Sequence, residues 1–149
     1  MTRTDIRLAL PSKGVLSSDS LALLAETGLK VHRPNPRQYQ ATIPTLPGVH
    51  VIFQRPGDIV VGVRQGSIDL GITGYDIVAE KGNKHGDEPI LMLHDALGYG
   101  HCTLNLAAPE ETAVNTLAEL REWAERLAQD GRILRIATKF PYATGQFLA

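Results

Sequence analysis

Strand-like and helix-like segments take turns along roughly the first 80 residues, an order that buries well only as a mostly parallel sheet with helices on its faces. Ile6-Arg7-Leu8-Ala9-Leu10 reads as a short strand, broken by Pro11-Ser12-Lys13-Gly14. Ser17, Ser18 and Asp19 offer N-cap chemistry, Leu21, Leu24 and Ala25 follow at helical spacing, and Gly28 supplies a stop. Leu29 to His32 read as a second strand. Arg33-Pro34-Asn35-Pro36-Arg37 cannot be helical, because each proline pushes its predecessor out of the α region, and so forms an exposed, partly rigid loop. Val49 to Phe53 make a strand closed by Pro56-Gly57, after which Ile59, Val60 and Val63 share a helical face as far as Gln65-Gly66. Ile68 to Ile72 form the next strand, followed by Thr73-Gly74-Tyr75-Asp76 and a short helix through Glu80.

Lys81 to Pro89 are polar and glycine-containing, hence a loop, and Ile90 to His94 read as a strand. Gly98-Tyr99-Gly100 marks a crossing between two lobes, dividing the chain into 1–97 and 98–149. Thr103 to Ala107 open the second unit. Ala113, Leu117, Leu120, Ala124 and Leu127 keep three- and four-residue spacing, which predicts an amphipathic helix over Thr112 to Ala128 with Glu110 and Glu111 at its positive end. Gly131 ends it, Ile133 to Ala137 form another strand, and Thr138-Lys139-Phe140-Pro141 lead into a final helix.

Composition narrows the function classes. Apolar residues make up 43% and charged residues 21% of 149, and the net charge is −1, so the chain lacks the basic excess of a general nucleic-acid binder. With one cysteine, no intrachain disulfide forms, and a reducing cytoplasm is the expected setting. The N-terminus shows no apolar signal core, and no apolar run approaches the roughly 20 residues that span a bilayer. No membrane and no nucleic acid are expected as partners.

In an open α/β sheet, ligands collect where strands end and helices begin. Four such turns stand out: Pro11 to Leu16, Gln54 to Asp58, Thr73 to Asp76 and Thr138 to Pro141. Gly14 and Gly74 allow close backbone approach, helix N-termini favour anions, and Lys13, Arg55 and Lys139 add positive charge. The pattern suits a phosphorylated ligand held between two lobes. Neither a P-loop nor a Gly-x-Gly-x-x-Gly turn is present, and the five histidines show no paired metal-ligand spacing. Cys102, taken alone, reads as a small buried residue.

Read in order, the segments resemble the ATP phosphoribosyltransferase family. Ile6 to Gly14 is similar to its opening strand and Lys-Gly turn, and Arg55-Pro56-Gly57-Asp58-Ile59 to its Arg-x-x-Asp-Ile segment. Gly66-Ser67-Ile68-Asp69-Leu70-Gly71-Ile72-Thr73-Gly74-Tyr75-Asp76 follows its Gly-x-x-Asp-Leu-Gly-Ile-x-Gly-x-Asp signature. Gly100-His101-Cys102 stands at its Gly-x-Cys, and Arg135 to Pro141 at its Arg-Ile-Ala-Thr-Lys-Tyr-Pro. The resemblance implies a two-lobed, periplasmic-binding-protein-like α/β fold with mostly parallel sheets and an incomplete second lobe. It implies an enzyme that joins ATP to phosphoribosyl pyrophosphate, with Mg2+ travelling with the latter and no metal held by a recognisable motif of the chain. It further implies Arg37 and Arg55 as catalytic residues, and Ser12, Lys13, Gly14, Asp58, Asp69, Gly74 and Asp76 as the nucleotide site. Cys102, Thr138 and Lys139 are implied as contacts from the second lobe. A homo-oligomer is expected, with a separate regulatory subunit in some members.

Each residue also has a plainer reading: Arg37 as a solvated loop arginine, Arg55 paired with Asp58 at a helix start, Asp69 bonded to backbone at a strand end, and Thr138 and Lys139 capping the last helix. A non-catalytic solute-binding module of the same architecture is the competing function. Val15, Tyr75 and Thr103 stand where members of the family more often carry a basic residue. The family's Asp-x-x-x-x-Thr-Gly-x-Thr loop for phosphoribosyl pyrophosphate is absent, so the chain reads as a fragment with little or no turnover of its own.

Overall fold

The computed structural model describes residues 4–82 and 90–149. Its elements are β1 (Ile6–Pro11), α1 (Val15–Glu26), β2 (Gln40–Thr42), β3 (Val49–Gln54), α2 (Pro56–Arg64), β4 (Leu70–Gly71), α3 (Tyr75–Gly82), α4 (Leu117–Gln129) and α5 (Pro141–Leu148), with a 3-10 turn at Glu110–Thr112. The strands form one sheet in the order β2-β3-β1-β4. β1 pairs in parallel with β3 from Ile6 opposite Val49 to Pro11 opposite Gln54, and with β4 through Leu8 opposite Leu70 and Ala9 opposite Gly71. β2 joins the outer edge of β3 antiparallel, Gln40 facing Ile52 and Thr42 facing His50. The fold is thus α/β with a mixed, mostly parallel sheet, as the alternation requires.

The two faces of the sheet follow the strand period of two. Leu10, Val51 and Phe53 turn to one face and bury against Leu24 of α1 with Ala41 and Ile43. Ala9 turns to the other and packs with Ile59 of α2 and Ile68. β1 and β3 are neighbours, yet the helices that follow them cover opposite faces. Each fully buried large side chain contributes roughly 1.5–3 kcal/mol. Gly71 is where α2 comes down on the sheet: a Cβ there would run into the Ile59 side chain, which is 1% exposed.

Several local expectations give way. α1 starts at Val15, ahead of the expected caps, with Gly14 as its N-cap and no side-chain cap; Ser18 Oγ instead donates to the Val15 carbonyl at 2.8 Å. The helix ends at Glu26, and Gly28, at positive φ, turns the chain so that the Leu29 N–H returns to the Leu24 carbonyl at 2.8 Å. The expected strand Leu29–His32 shrinks to one bridge between His32 and Thr42, because Pro34 has no N–H with which to extend the ladder. Of the loop expected over 81–89, Lys81 and Gly82 belong to α3, and 83–89 lie outside the described residues.

Two compact units are distinguishable, one running to His101 and including Phe140–Ala149, the other Cys102–Lys139. The sequence reading instead divided the chain between 97 and 98. α5 joins the first unit through Glu80 of α3, which is 3% exposed. Its carboxylate accepts the Tyr142 N–H at 3.0 Å and the Ala143 N–H at 3.1 Å, satisfying the positive end of α5.

In the second unit, α4 starts at Leu117, five residues later than the apolar spacing suggests. Thr116 and Glu119 form a reciprocal capping box, with the Glu119 N–H donating to Thr116 Oγ1 at 3.2 Å and Glu119 Oε2 accepting the Thr116 N–H at 2.9 Å. Glu110 and Glu111 belong to the separate 3-10 turn. The segments expected as strands at Ile90–His94 and Ile133–Ala137 form none among the described residues. Leu91 is 78% and Ile133 85% exposed: without a neighbouring strand, β propensity alone does not order them.

Gly71→Ala is expected to lower the stability of the first unit by about 1–3 kcal/mol through overpacking against Ile59. A urea midpoint that falls at unchanged slope checks it. The Asn115 N–H, most of all, holds the Glu119 carboxyl below its ordinary pKa, against a desolvation that raises it and with help from the Thr116 N–H and hydroxyl. A carboxyl lowered in the folded state adds stability above its unfolded pKa and loses it as the pH falls through the folded one. Acidification through that lowered value should therefore loosen the first turn of α4, and Glu119→Gln should abolish this pH dependence in the Asn115 and Thr116 amide shifts.

Candidate functional site

Because β3, β1 and β4 are parallel, the turns that follow them open at one edge of the sheet. They are Ser12-Lys13-Gly14 into α1, Arg55 into α2, and Ile72-Thr73-Gly74 into α3. Hydrogen bonds link neighbouring turns. The Ser12 N–H donates to the Gln54 carbonyl at 2.8 Å, and the Thr73 hydroxyl donates to the Pro56 carbonyl at 3.2 Å. β2 runs antiparallel, so the loop entering it, which carries Arg37, reaches the same edge; the Phe53 N–H holds the Tyr39 carbonyl there at 2.8 Å.

The edge is electropositive by construction. The N-termini of α1, α2 and α3 meet it, and neither α1 nor α2 has a side-chain cap. Gly14, with φ 81, gives α1 a start that an L side chain resists, and leaves nothing within 4 Å of where a Cβ would be. Lys13, Arg37 and Arg55 are exposed and form no ion pair among the described residues, so the pairing of Arg55 with Asp58 is not made. Asp58 sits exposed in the first turn of α2. The Asp76 carboxylate folds back over Gly74, filling the space a Cβ would need.

Asp69 is not at this edge. Its Oδ2 accepts the Arg7 N–H at 2.7 Å and its own N–H donates to the Arg7 carbonyl at 3.1 Å, four positions before β1 ends. That is the plainer strand-end role, and its cause is the register of β4 on β1. Cys102, Thr138 and Lys139 lie in the second unit, at the two points where the chain enters and leaves it, and all are exposed. Cys102 is therefore an exposed thiol and not the buried residue expected of it alone.

The sequence reading missed Lys81 and Arg33 as contributors and took Tyr75 only as a departure from the family. The Lys81 ammonium lies over the first turn of α2, its Nζ 2.6 Å from where a Gly57 Cβ would stand, and nothing in the sequence spacing marks it. Tyr75, at the start of α3, lines an open depression of about 550 Å3 with Met92, Leu93, His94 and Asp95. Arg33, in the same loop as Arg37, stacks on Phe53, a contact that no local spacing marks.

Residues 55–149 match the family model HisG: ATP phosphoribosyltransferase. The chain belongs to the ATP phosphoribosyltransferase family. ATP phosphoribosyltransferase 2, chloroplastic, of Arabidopsis thaliana is 45% identical over 152 residues, covering 98% of this chain and 35% of its own length. The ATP phosphoribosyltransferase of Mesorhizobium japonicum is 40% identical over 147 residues, covering 97% of this chain and 62% of its own length. A chain of the solved ATP phosphoribosyl transferase (HisG:HisZ) complex from Thermotoga maritima aligns over 51% of this chain and 35% of its own, at 26% identity and a TM-score of 0.42. This member of the family thus spans between 35% and 62% of the two curated relatives it is compared with. No helix among the described residues is long and apolar enough to cross a membrane.

Gly14→Ala should cost about 1–2 kcal/mol through its positive φ, with no steric clash to add to it. Guanidinium unfolding of the two chains side by side measures the difference.

Proposed function

We propose that this chain is the nucleotide-holding part of an ATP phosphoribosyltransferase. In this reading adenine N1 of ATP attacks the anomeric carbon of phosphoribosyl pyrophosphate. An N–C bond forms as the bond from that carbon to the pyrophosphate oxygen breaks, giving phosphoribosyl-ATP and pyrophosphate. The observation that supports it is the meeting of the Arg37 loop with the Ser12, Arg55 and Thr73 turns at one edge of the sheet.

Adenine N1 carries its own lone pair, so the chain supplies no base. Its tasks are to align two polyanions and to stabilise the charge that leaves. Free N–H groups at the start of α1, with Ser12, Lys13 and Gly14, receive phosphate oxygens. Arg37 and Arg55 suit the reacting centre, since a planar guanidinium both bridges phosphate oxygens and stacks on a base. Asp58, Gly74 and Asp76 shape the wall beside them. Asp69 serves the same site indirectly, by holding β4 on β1.

The two-lobed, periplasmic-binding-protein-like arrangement is part of the proposal, with Cys102, Thr138 and Lys139 contributing from the second lobe. Segments beyond this chain's similarity to its relatives would supply the phosphoribosyl pyrophosphate loop. In this reading Mg2+ enters with that substrate, and the chain's own part does not run through the ion. Homo-oligomers, a regulatory partner chain and a cytoplasmic setting complete the reading.

In a full-length protein bearing this chain, Arg37→Ala and Arg55→Ala should each lower kcat/KM for phosphoribosyl-ATP formation by about a hundredfold while leaving thermal unfolding unchanged. Calorimetric titration of the 149-residue chain should show ATP binding. Full turnover in both variants, or no heat with ATP in either protein, would sink the assignment.

A further inference from the structure

We propose that Arg33 is a positioning residue that presents Arg37 to the nucleotide; the proposal rests on the role given to Arg37 above. Residues 33–39 have no regular secondary structure, and Pro34 and Pro36 bring no N–H to any ladder. A loop of that kind fixes a functional side chain only if something else holds its backbone. At its base, His32 and Thr42 exchange hydrogen bonds of 2.8 and 3.2 Å. Within it, Asn35 accepts the Arg37 N–H on its side chain and the Gln38 N–H on its carbonyl, both at 2.9 Å.

Arg33 links this small turn to the body of the fold. Its Nε–H donates to the Gln38 carbonyl at 2.7 Å, and its guanidinium carbon stands 4.0 Å from the centre of the Phe53 ring. Phe53 is 1% exposed and belongs to the main core, so the platform is packed into the body of the fold. One side chain thereby ties the entry of the loop, its exit and the core together. Arg37 lies between the tied points, exposed and with its own guanidinium available. Lysine cannot substitute: it carries the charge without the planar face that stacks or the fixed fork that donates in one direction.

The test uses Arg33→Lys, with Phe53→Leu as a second variant that removes the platform and keeps the core apolar. Hydrogen exchange of the Arg37 and Gln38 amides should speed up by about tenfold in both. Amides of β1 and β3 staying protected would show that the fold is intact. ATP titrations of wild type, Arg33→Lys, Arg37→Ala and the double variant complete the cycle. The expected result is weaker ATP binding in Arg33→Lys and no further loss when it is added to Arg37→Ala. Unchanged exchange at Arg37 and Gln38 overturns the positioning role. An equal loss from Arg33→Lys in both backgrounds overturns action through Arg37 and makes Arg33 a ligand contact itself. If the amides respond but wild type takes up no ATP, the positioning stands and the nucleotide reading falls.

Discussion

β1 is hydrogen-bonded on both edges and covered on both faces, and the first unit takes its geometry from it. Ala9 and Leu10, neighbours in sequence, are both 0% exposed because they turn to opposite layers. Such a strand tolerates no slip, since a shift of one residue would exchange its two faces. With β1 fixed, the pairing of β3 and β4 is fixed as well, and the turns after all three strands open at the same edge. α1 and α2 leave those turns toward opposite faces of the sheet.

The edge then depends on a few polar contacts of long sequence separation. Ser12 to Gln54, Thr73 to Pro56 and Tyr39 to Phe53 each join one turn to its neighbour, so that no turn is held by its own strand alone. Glu80 plays a similar part for the last helix, reaching across 62 residues to bond its first N–H groups. A buried carboxylate with several N–H donors is a costly thing to leave unsatisfied, which makes that contact selective for one arrangement of α3 and α5.

The second unit shows the complementary case. Its local signals are strong: a Thr-x-x-Glu capping box opens α4, and Gly131 closes it with the Arg132 N–H returning to the Leu127 carbonyl at 2.8 Å. Yet α4 buries no residue, and Leu104, Leu117 and Ile133 remain exposed. Helices satisfy their backbone within themselves, whereas strands do so only with a neighbour. That difference explains why the helix forms here and the expected strand does not.

Helix stops, the alternation of strand and helix, and the family signature were all written locally, in glycines, prolines and period-two or period-3.6 apolar spacing, and so could be read without the fold. Lys13, Gly14, Arg55 and Gly74 were legible as site candidates because turn chemistry marks them, whereas Arg37 stood out only through the resemblance to the family. The start of α4 was legible too, in Thr116 and Glu119, and the longer apolar spacing overrode it in the reading. Tertiary structure alone decided the rest. It set Asp69 against the Arg7 backbone, laid Lys81 over Gly57, placed Arg33 on Phe53 and brought β2 to the edge of the sheet. These are contacts between residues far apart in the chain, or between a side chain and a surface that exists only once the strands have paired, and no local pattern encodes them.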